Sequence, residues 1–337
     1  MRISTEFFNN QGYRSIANHQ EEIMKIQERL STGKRVNQPS DDPVAMSQVH
    51  SLNTSMKTIS QFERNGEFAK SQLTLEETQI QTTVDLTQRA RDLAIQMSNG
   101  TYSDADKKAT ASEIDQIIEQ MRSVMNSTNS EDELLFAGNR VNAKSAFVED
   151  QNNTDYYAYI GSPNSDTGAL DSPYDEQANF GSRFVQIAFD DDNKVDPTDR
   201  GDASRVRITD TGQRVFGSGG DSLPPGVDKN ILNVMISFSQ NLKAGEGSFD
   251  DEINDMDAGI KNMGETLATI GGRQNRIEAQ YEAGQIFSLS LEERRSTLED
   301  QDIVQGITDF TTRQNALQMA QQVFSRTQNM SLFQYMN

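Results

Sequence analysis

The sequence predicts a mainly α-helical protein: a long antiparallel coiled coil or helical bundle formed by the N- and C-terminal halves, with an inserted β-rich domain. Two observations predict this fold. Apolar residues recur every three or four positions through both halves, as in amphipathic helices that pack together. Between the halves this periodicity stops, and Gly-, Asn-, Asp- and Pro-rich segments with short apolar alternations follow, as in strands and their loops.

The first two helices are indicated by their apolar stripes and by the turn between them. The stripe from Ile16 to Leu30 ends at Gly33, a residue typical of a helix C-terminus. Ser40 or Asp42 can cap the next helix, and Pro43 suits its first turn. No proline interrupts residues 44–98, so this second helix forms a rod of roughly 80 Å at 1.5 Å rise per residue.

The remaining periodic segments extend the same pattern. They predict helices over about 104–127, 229–243, 252–298 and 301–337. Alternation predicts short strands at Tyr157–Tyr159, Val185–Phe189, Val206–Ile208 and Arg214–Phe216. The predicted domains are a terminal coiled coil of 1–42 with 300–337, a helical bundle of 43–139 with 229–299, and an inserted β-rich domain of 140–228.

Charge is distributed unevenly along the chain. The net charge is -20, and residues 149–221 carry fifteen acidic and six basic residues, whereas residues 301–337 carry two of each sign. An acidic surface disfavours nucleic acid as a partner, because phosphates repel it. The nearly neutral ends can pack against other copies of themselves without that repulsion.

The two ends of the chain are weak helices on their own. Residues 301–337 contain eight glutamines and only four charged residues. A helix of this composition, with few apolar residues along one face, is only marginally stable in isolation. We therefore predict that both ends are mobile in the monomer and become ordered on assembly. The predicted assembly interface consists of Ile16, Ile23, Ile26, Leu30, Arg35, Asp41, Asp42, Ile303, Ile307, Phe310, Leu317, Phe324, Leu332, Phe333 and Tyr335.

The sequence offers little for catalysis or for cofactors. Cysteine is absent, which excludes disulfides and thiolate sites, and only two histidines occur, His19 and His50, both within helical patterns. Phosphate-binding loops and nucleophile elbows are missing as well. We therefore expect no enzyme activity, no cofactor and no metal, and no helix that spans a membrane. The start of the chain lacks the features of a cleaved secretory signal.

Five motifs, in order along the chain, resemble those of the flagellin superfamily. They are Leu-Ser-Thr-Gly-Lys-Arg-Val-Asn at 30–37, Pro-Ser-Asp-Asp-Pro-Val-Ala at 39–45, Leu-Phe-Ala-Gly at 135–138, Leu-Glu-Asp-Gln-Asp at 298–302 and Ser-Leu-Phe-Gln-Tyr-Met at 331–336. The second and fifth forms resemble the hook–filament junction branch of the superfamily more than the filament branch. Gly306 departs from the superfamily pattern, which favours Ala or Pro there.

The resemblance implies a structural subunit of the bacterial flagellum that forms a ring of about eleven copies between hook and filament. Its implied partners are other copies of itself, the hook-side junction protein, flagellin on the distal side, and an export chaperone near the C-terminal end. The resemblance also implies an extracellular location after type III export without a cleaved signal. Filament flagellin remains an alternative, as does an exported adhesin or enzyme that uses the acidic insert.

The Asp41–Asp42 pair has two interpretations at this stage. One carboxylate can cap the helix that begins at Pro43, where the helix dipole also favours a negative charge. Alternatively, the pair is a hinge between layers of the assembly and contacts a basic residue such as Arg35 on a neighbouring copy.

Overall fold

The structure, a computed structural model, describes residues 2–99, 102–138, 144–150, 152–160, 183–189 and 204–333. It divides into two compact units. Unit 1 comprises Met1–Ile59 with Gln285–Asn337, and unit 2 comprises Ser60–Gly284. Two long helices each contribute residues to both units. The predicted fold class, mainly helical with a small inserted β region, is confirmed.

The helices follow the apolar periodicity closely. They are α1 (Arg2–Thr32), α2 (Pro43–Met97), α3 (Asp104–Met125), α4 (Gly212–Val215), α5 (Ile231–Ala244), α6 (Asp250–Glu299) and α7 (Ile303–Phe333). Asp42 caps α2, because its Oδ1 accepts the backbone N–H of Ala45 at 3.0 Å. Ser103 caps α3 in a capping box with Asp106.

The strands are short and form two antiparallel pairs. β1 (Phe147–Glu149) pairs with β2 (Tyr157–Tyr159), and β3 (Phe184–Gln186) pairs with β4 (Arg205–Arg207). The sequence did not predict β1. The observed β3 is shorter than the alternation of Val185–Phe189 suggested, and β4 begins one residue before the predicted Val206–Ile208 and has the same length.

The predicted strand at Arg214–Phe216 is wrong. The carbonyl of Thr211 accepts the N–H groups of both Arg214 and Val215 at 3.0 Å, which closes the single helical turn α4. Val215 and Phe216 are both fully buried, which the helical turn allows. A half-buried strand would direct two successive side chains to opposite faces.

Unit 2 is built on an antiparallel pairing of α2 and α6. Lys70 pairs with Glu278 and Arg91 with Asp257, each at 2.5 Å. The residue numbers of the paired positions thus increase along α2 while they decrease along α6, as in an antiparallel pair. These ion pairs are solvent-exposed and contribute little stability. Most of the stabilisation comes from the apolar residues that α2 and α6 bury in a core shared with α3 and α5.

Aromatic rings connect the β region of unit 2 to the helices. Phe136 and Phe216 meet edge to face with centroids 4.7 Å apart, and Phe147 lies 5.9 Å from Phe216. All three side chains are buried. The Leu-Phe-Ala-Gly motif that precedes the insert therefore places Phe136 in the core, where such ring pairs add to the burial of area.

Unit 1 contains α1, the first part of α2, the last part of α6, and α7. Residues 33–35 run beside residues 299–301: the N–H of Arg35 donates to the carbonyl of Glu299 at 2.6 Å, and the N–H of Gln301 donates to that of Gly33 at 2.9 Å. Further along, Arg295 contacts Asn53. The start of α2 and the end of α6 thus also run antiparallel.

Candidate assembly surface

The α1–α7 pair is antiparallel and closely spaced. Gly12 lies against the ring of Phe324 near one end, and Gly306 lies against Leu30 near the other. A Cβ at position 306 would lie only 2.7 Å from Leu30 Cδ2, so glycine at 306 permits the close approach. Between these points Arg313 forms an ion pair with Glu22 at 2.7 Å.

Seven of the predicted interface residues lie on the facing sides of this pair. They are half-buried and follow Gly12 and Gly306 at helical spacing: Ile16, Ile23, Ile26, Leu30, Phe310, Leu317 and Phe324. The structure therefore uses these side chains within one chain, to hold α1 against α7.

Ile303 and Ile307 are exposed in α7, and other apolar residues share their outward position. Val304, Met319 and Val323 are each more than 60% exposed, with Val304 reaching 77%. By helical geometry, Val304 and Met319 lie on the side of α7 opposite the one that meets α1, and Ile307 and Val323 flank them on either side. Sequence reasoning missed three of the four because it followed a single stripe per helix, although the second stripe is visible at the same spacing.

A second outward apolar group occurs near the end of α6. Ile286, Phe287 and Leu289 are exposed, while Ser288 between them is half-buried. The usual amphipathic pattern is thus inverted over this turn, with a polar side chain inside and apolar side chains outside. Sequence reasoning passed over these residues as well, although the run Ile-Phe-Ser-Leu-Ser-Leu was the available signal.

The exposed apolar residues concentrate in one part of the chain. Of fifteen large apolar side chains described as exposed, twelve belong to unit 1, which is about a third of the sequence. Apolar surface of this kind marks sites of protein–protein contact. Between Ile303 and Ser325 the only charged residues are Asp309 and Arg313, so the outward face of α7 is nearly uncharged.

The predicted polar interface residues lie in the connection between α1 and α2. Arg35 donates to the carbonyl of Leu298 at 2.7 Å and lies 3.8 Å from Asp42 of the same chain. Asp41 accepts the N–H groups of Gln38 and Asn37, and these bonds lower the pKa of its carboxyl group. Asp42 is the helix cap. These contacts order the connection within one chain, and a contact of the pair with a neighbouring copy stays a prediction.

The last predicted interface residues cannot be placed. The side chains of Leu332 and Phe333, and the whole of Tyr335, lie outside the part of the chain that the structure describes.

Within the described ranges, no group of three or more His, Asp or Glu side chains could hold a metal ion. None of the helices described there has an apolar stretch long enough to cross a membrane.

Paired terminal helices, a helical body and a small inserted β region define a class of α-helical proteins whose two ends fold together. Comparison with known proteins identifies the family. Residues 3–141 match the bacterial flagellin N-terminal helical region, and residues 253–336 match the bacterial flagellin C-terminal helical region. The chain belongs to the flagellin family, as the five sequence motifs predicted.

Several relatives are similar over nearly the whole chain. Flagellar hook-associated protein 3 of Escherichia coli K12 and that of Salmonella typhimurium LT2 are each 28% identical, over 99% of this chain and 99% of their own. A flagellin of Treponema pallidum is 23% identical over 89% of this chain and 87% of its own.

Solved structures share the fold. A flagellar hook-associated protein from Vibrio parahaemolyticus superimposes with a TM-score of 0.58 at 20% identity, covering 77% of this chain and 100% of its own. Flagellar hook-associated protein 3 from Legionella pneumophila gives a TM-score of 0.59 at 14% identity, covering 74% of this chain and 98% of its own.

Proposed function

We propose that this chain is a structural subunit of the bacterial flagellum that joins the hook side to the filament, and that it performs no catalysis. The observation that carries the proposal is similarity along the entire length: both hook-associated protein 3 relatives align over 99% of each chain, insert included. The flagellin of Treponema pallidum covers less of both chains and is less identical.

The geometry of unit 1 supports a role in assembly. The inner stripes of α1 and α7 pack on each other, whereas the outer apolar residues of α7 and the apolar turn of α6 are exposed. In the assembly, we infer that other copies of this chain cover these outer residues. Repetition around a ring makes many small contacts cooperate, so no single contact needs to be strong.

We further infer which proteins adjoin this subunit and by which route it leaves the cell. The subunits form a ring of about eleven copies, bounded by the hook-side junction protein on one side and by flagellin on the other. The chain reaches the outside of the cell by flagellar type III export, without a cleaved signal and with a chaperone bound near residues 301–337. Subtomogram averaging of the junction counts the copies, and co-purification with and without residues 301–337 tests the chaperone site.

Deletion of the gene tests the proposal. We expect intact hooks, no attached filaments and flagellin released into the medium, with all three restored by the gene on a plasmid. Working filaments on the deletion strain would contradict the proposal. Loss of filaments with no flagellin in the medium would instead identify the chain as the filament flagellin, the second candidate.

A further inference from the structure

Four ionisable side chains meet inside unit 2, where three segments of the chain come together. Glu76 belongs to α2, Arg207 to β4, Asp210 to the segment after β4, and Arg273 to α6. Asp210 is completely buried and Glu76 is 1% exposed. Burial also lowers the pKa of Arg207, to about 10.

Both arginines direct their donors to Asp210. The Nη1 of Arg273 donates to Asp210 Oδ2 at 2.7 Å and its Nη2 to Oδ1 at 3.1 Å, while Arg207 Nη2 lies 2.6 Å from Oδ1. Such paired, charge-assisted bonds fix the position of the Asp210 side chain in the interior. They also fasten the return segment, residues 204–212, to α6.

Glu76 is held differently. Its Oε1 accepts the backbone N–H of Asp210 at 2.8 Å, and its Oε2 is buried without a hydrogen-bond partner in the described chain. No arginine hydrogen bond to this carboxyl group is described. An ionised carboxylate that is buried, half-satisfied and adjacent to another carboxylate is unfavourable, whereas the neutral acid carries no charge into the interior. Burial, reinforced by the charge of Asp210, accordingly raises the pKa of Glu76 well above its ordinary value.

We propose that Glu76 acts as a proton-dependent latch: with its proton bound it holds the return segment against α2, and loss of that proton to water loosens the segment. The charged groups that face it are Asp210 and Arg207 from the return segment and Arg273 from α6. The same segment carries the N–H of Gly212 that donates to the carbonyl of Phe136 at 2.7 Å. The latch therefore governs how firmly the chain is attached where it returns from the insert to the helical body.

The direction of the pH dependence follows from the position of the proton. Because the folded state binds this proton more tightly than the unfolded state does, the stabilisation is complete below the ordinary pKa of a glutamate. It is lost as pH rises towards the higher pKa of the folded state. Arg207 and Arg273 oppose this effect. Asp210 balances one of their two positive charges, and an ionised Glu76 would balance the other.

Hydrogen exchange of the Asp210 amide reports on the latch directly, since this N–H is the donor to Glu76. In the wild-type full chain we expect protection at residues 204–212, corrected for the intrinsic rate, to fall by about tenfold per pH unit between the ordinary pKa of a glutamate and the higher pKa of Glu76 in the folded chain, and to level off above it. In Glu76→Gln, a neutral side chain of the same shape that retains the acceptor oxygen, protection should not change with pH. Glu77→Gln removes the same charge one residue along α2, outside the cluster, and should behave as the wild type does.

A second measurement needs no variant. The infrared spectrum of the wild-type chain with labelled glutamate should show the carbonyl band of a protonated carboxylic acid at pH values above the ordinary pKa of a glutamate. This band should disappear around the pH at which the loss of protection levels off. Flat protection in the wild type, or the same pH dependence in Glu76→Gln, would overturn the proposal. So would the absence of the protonated-acid band just above the ordinary pKa of a glutamate, because the two arginines would then hold Glu76 ionised.

Discussion

Asp42 illustrates how one side chain decides where a helix begins. Both Ser40 and Asp42 were plausible caps from the sequence, since either type satisfies free N–H groups at a helix start. In the structure Asp42 bonds to the N–H of Ala45, while Asp41 accepts two N–H groups of the preceding turn. The two adjacent carboxylates thus have separate roles, which follow from the directions in which the backbone points them.

The cap gives a prediction for a single residue. Asp42→Ala should lower the free energy of unfolding by about 1 kcal/mol, because an N–H group at the start of α2 loses its acceptor. Ser40→Ala is the matched control and should leave stability unchanged, since Ser40 is exposed and lies outside the helix start. Urea unfolding followed by circular dichroism measures both variants. Equal losses in the two variants would show that Asp42 is not the cap.

At the scale of the element, α7 carries two apolar stripes with different partners. The stripe that includes Phe310, Leu317 and Phe324 packs on α1 of the same chain, whereas Val304, Ile307, Met319 and Val323 face outward. An isolated amphipathic helix needs one apolar face. The second stripe therefore indicates a second neighbour, and in the proposed function that neighbour is another copy.

The two stripes can be separated by mutation. The double variant Val304→Asp with Met319→Asp should retain the helicity of the purified chain but reduce the fraction of filament-bearing cells at least about tenfold, because 1.4 kcal/mol already corresponds to a factor of ten in binding. Electron microscopy of complemented deletion cells measures the effect.

Two control variants accompany this experiment. Gln61→Asp with Gln88→Asp adds the same charge on exposed positions of α2 and should leave filaments intact. Leu317→Asp, on the inner stripe, should lower the helicity of the purified chain. Normal filaments in the Val304–Met319 double variant would show that the outer stripe is not part of the assembly surface.

At the scale of the whole molecule, the two units differ in how deeply they bury their residues. Unit 2 contains most of the fully buried core, including Leu73, Ile114, Phe136 and Phe238. In α1 no described residue is fully buried. Among the described residues of α7 only Gly306, which has no side chain, is fully buried. Little apolar area therefore stabilises the α1–α7 pair.

Limited proteolysis tests this difference. We expect the free chain to lose about 40 residues from each end first, because regions of shallow burial open at low free-energy cost, and the body of unit 2 to resist. Assembled junctions should protect the same ends, since neighbouring copies cover the outer stripes. Ends that resist protease in the free chain would contradict the prediction that they become ordered only on assembly.

The sequence alone determined the helical class, the bounds of the long helices and the family. Those properties depend on local periodicity, on turn residues such as Gly33 and Pro43, and on motifs that are contiguous in the chain. The boundaries proposed for the domains stay a prediction, although the structure does separate the chain into two units. The prediction failed at Val215 and Phe216, where two adjacent buried residues arise from a helical turn rather than from a strand.

Only the tertiary structure decided which neighbour each apolar stripe meets and where the buried charges lie. Whether Leu317 faces α1 or another copy depends on how two segments almost 300 residues apart come together, which periodicity does not encode. The cluster of Glu76, Asp210 and Arg273 likewise draws on positions separated by more than 60 residues. In a sequence with 51 acidic residues, a single buried glutamate carries no local signal, because its burial depends on segments distant in the chain.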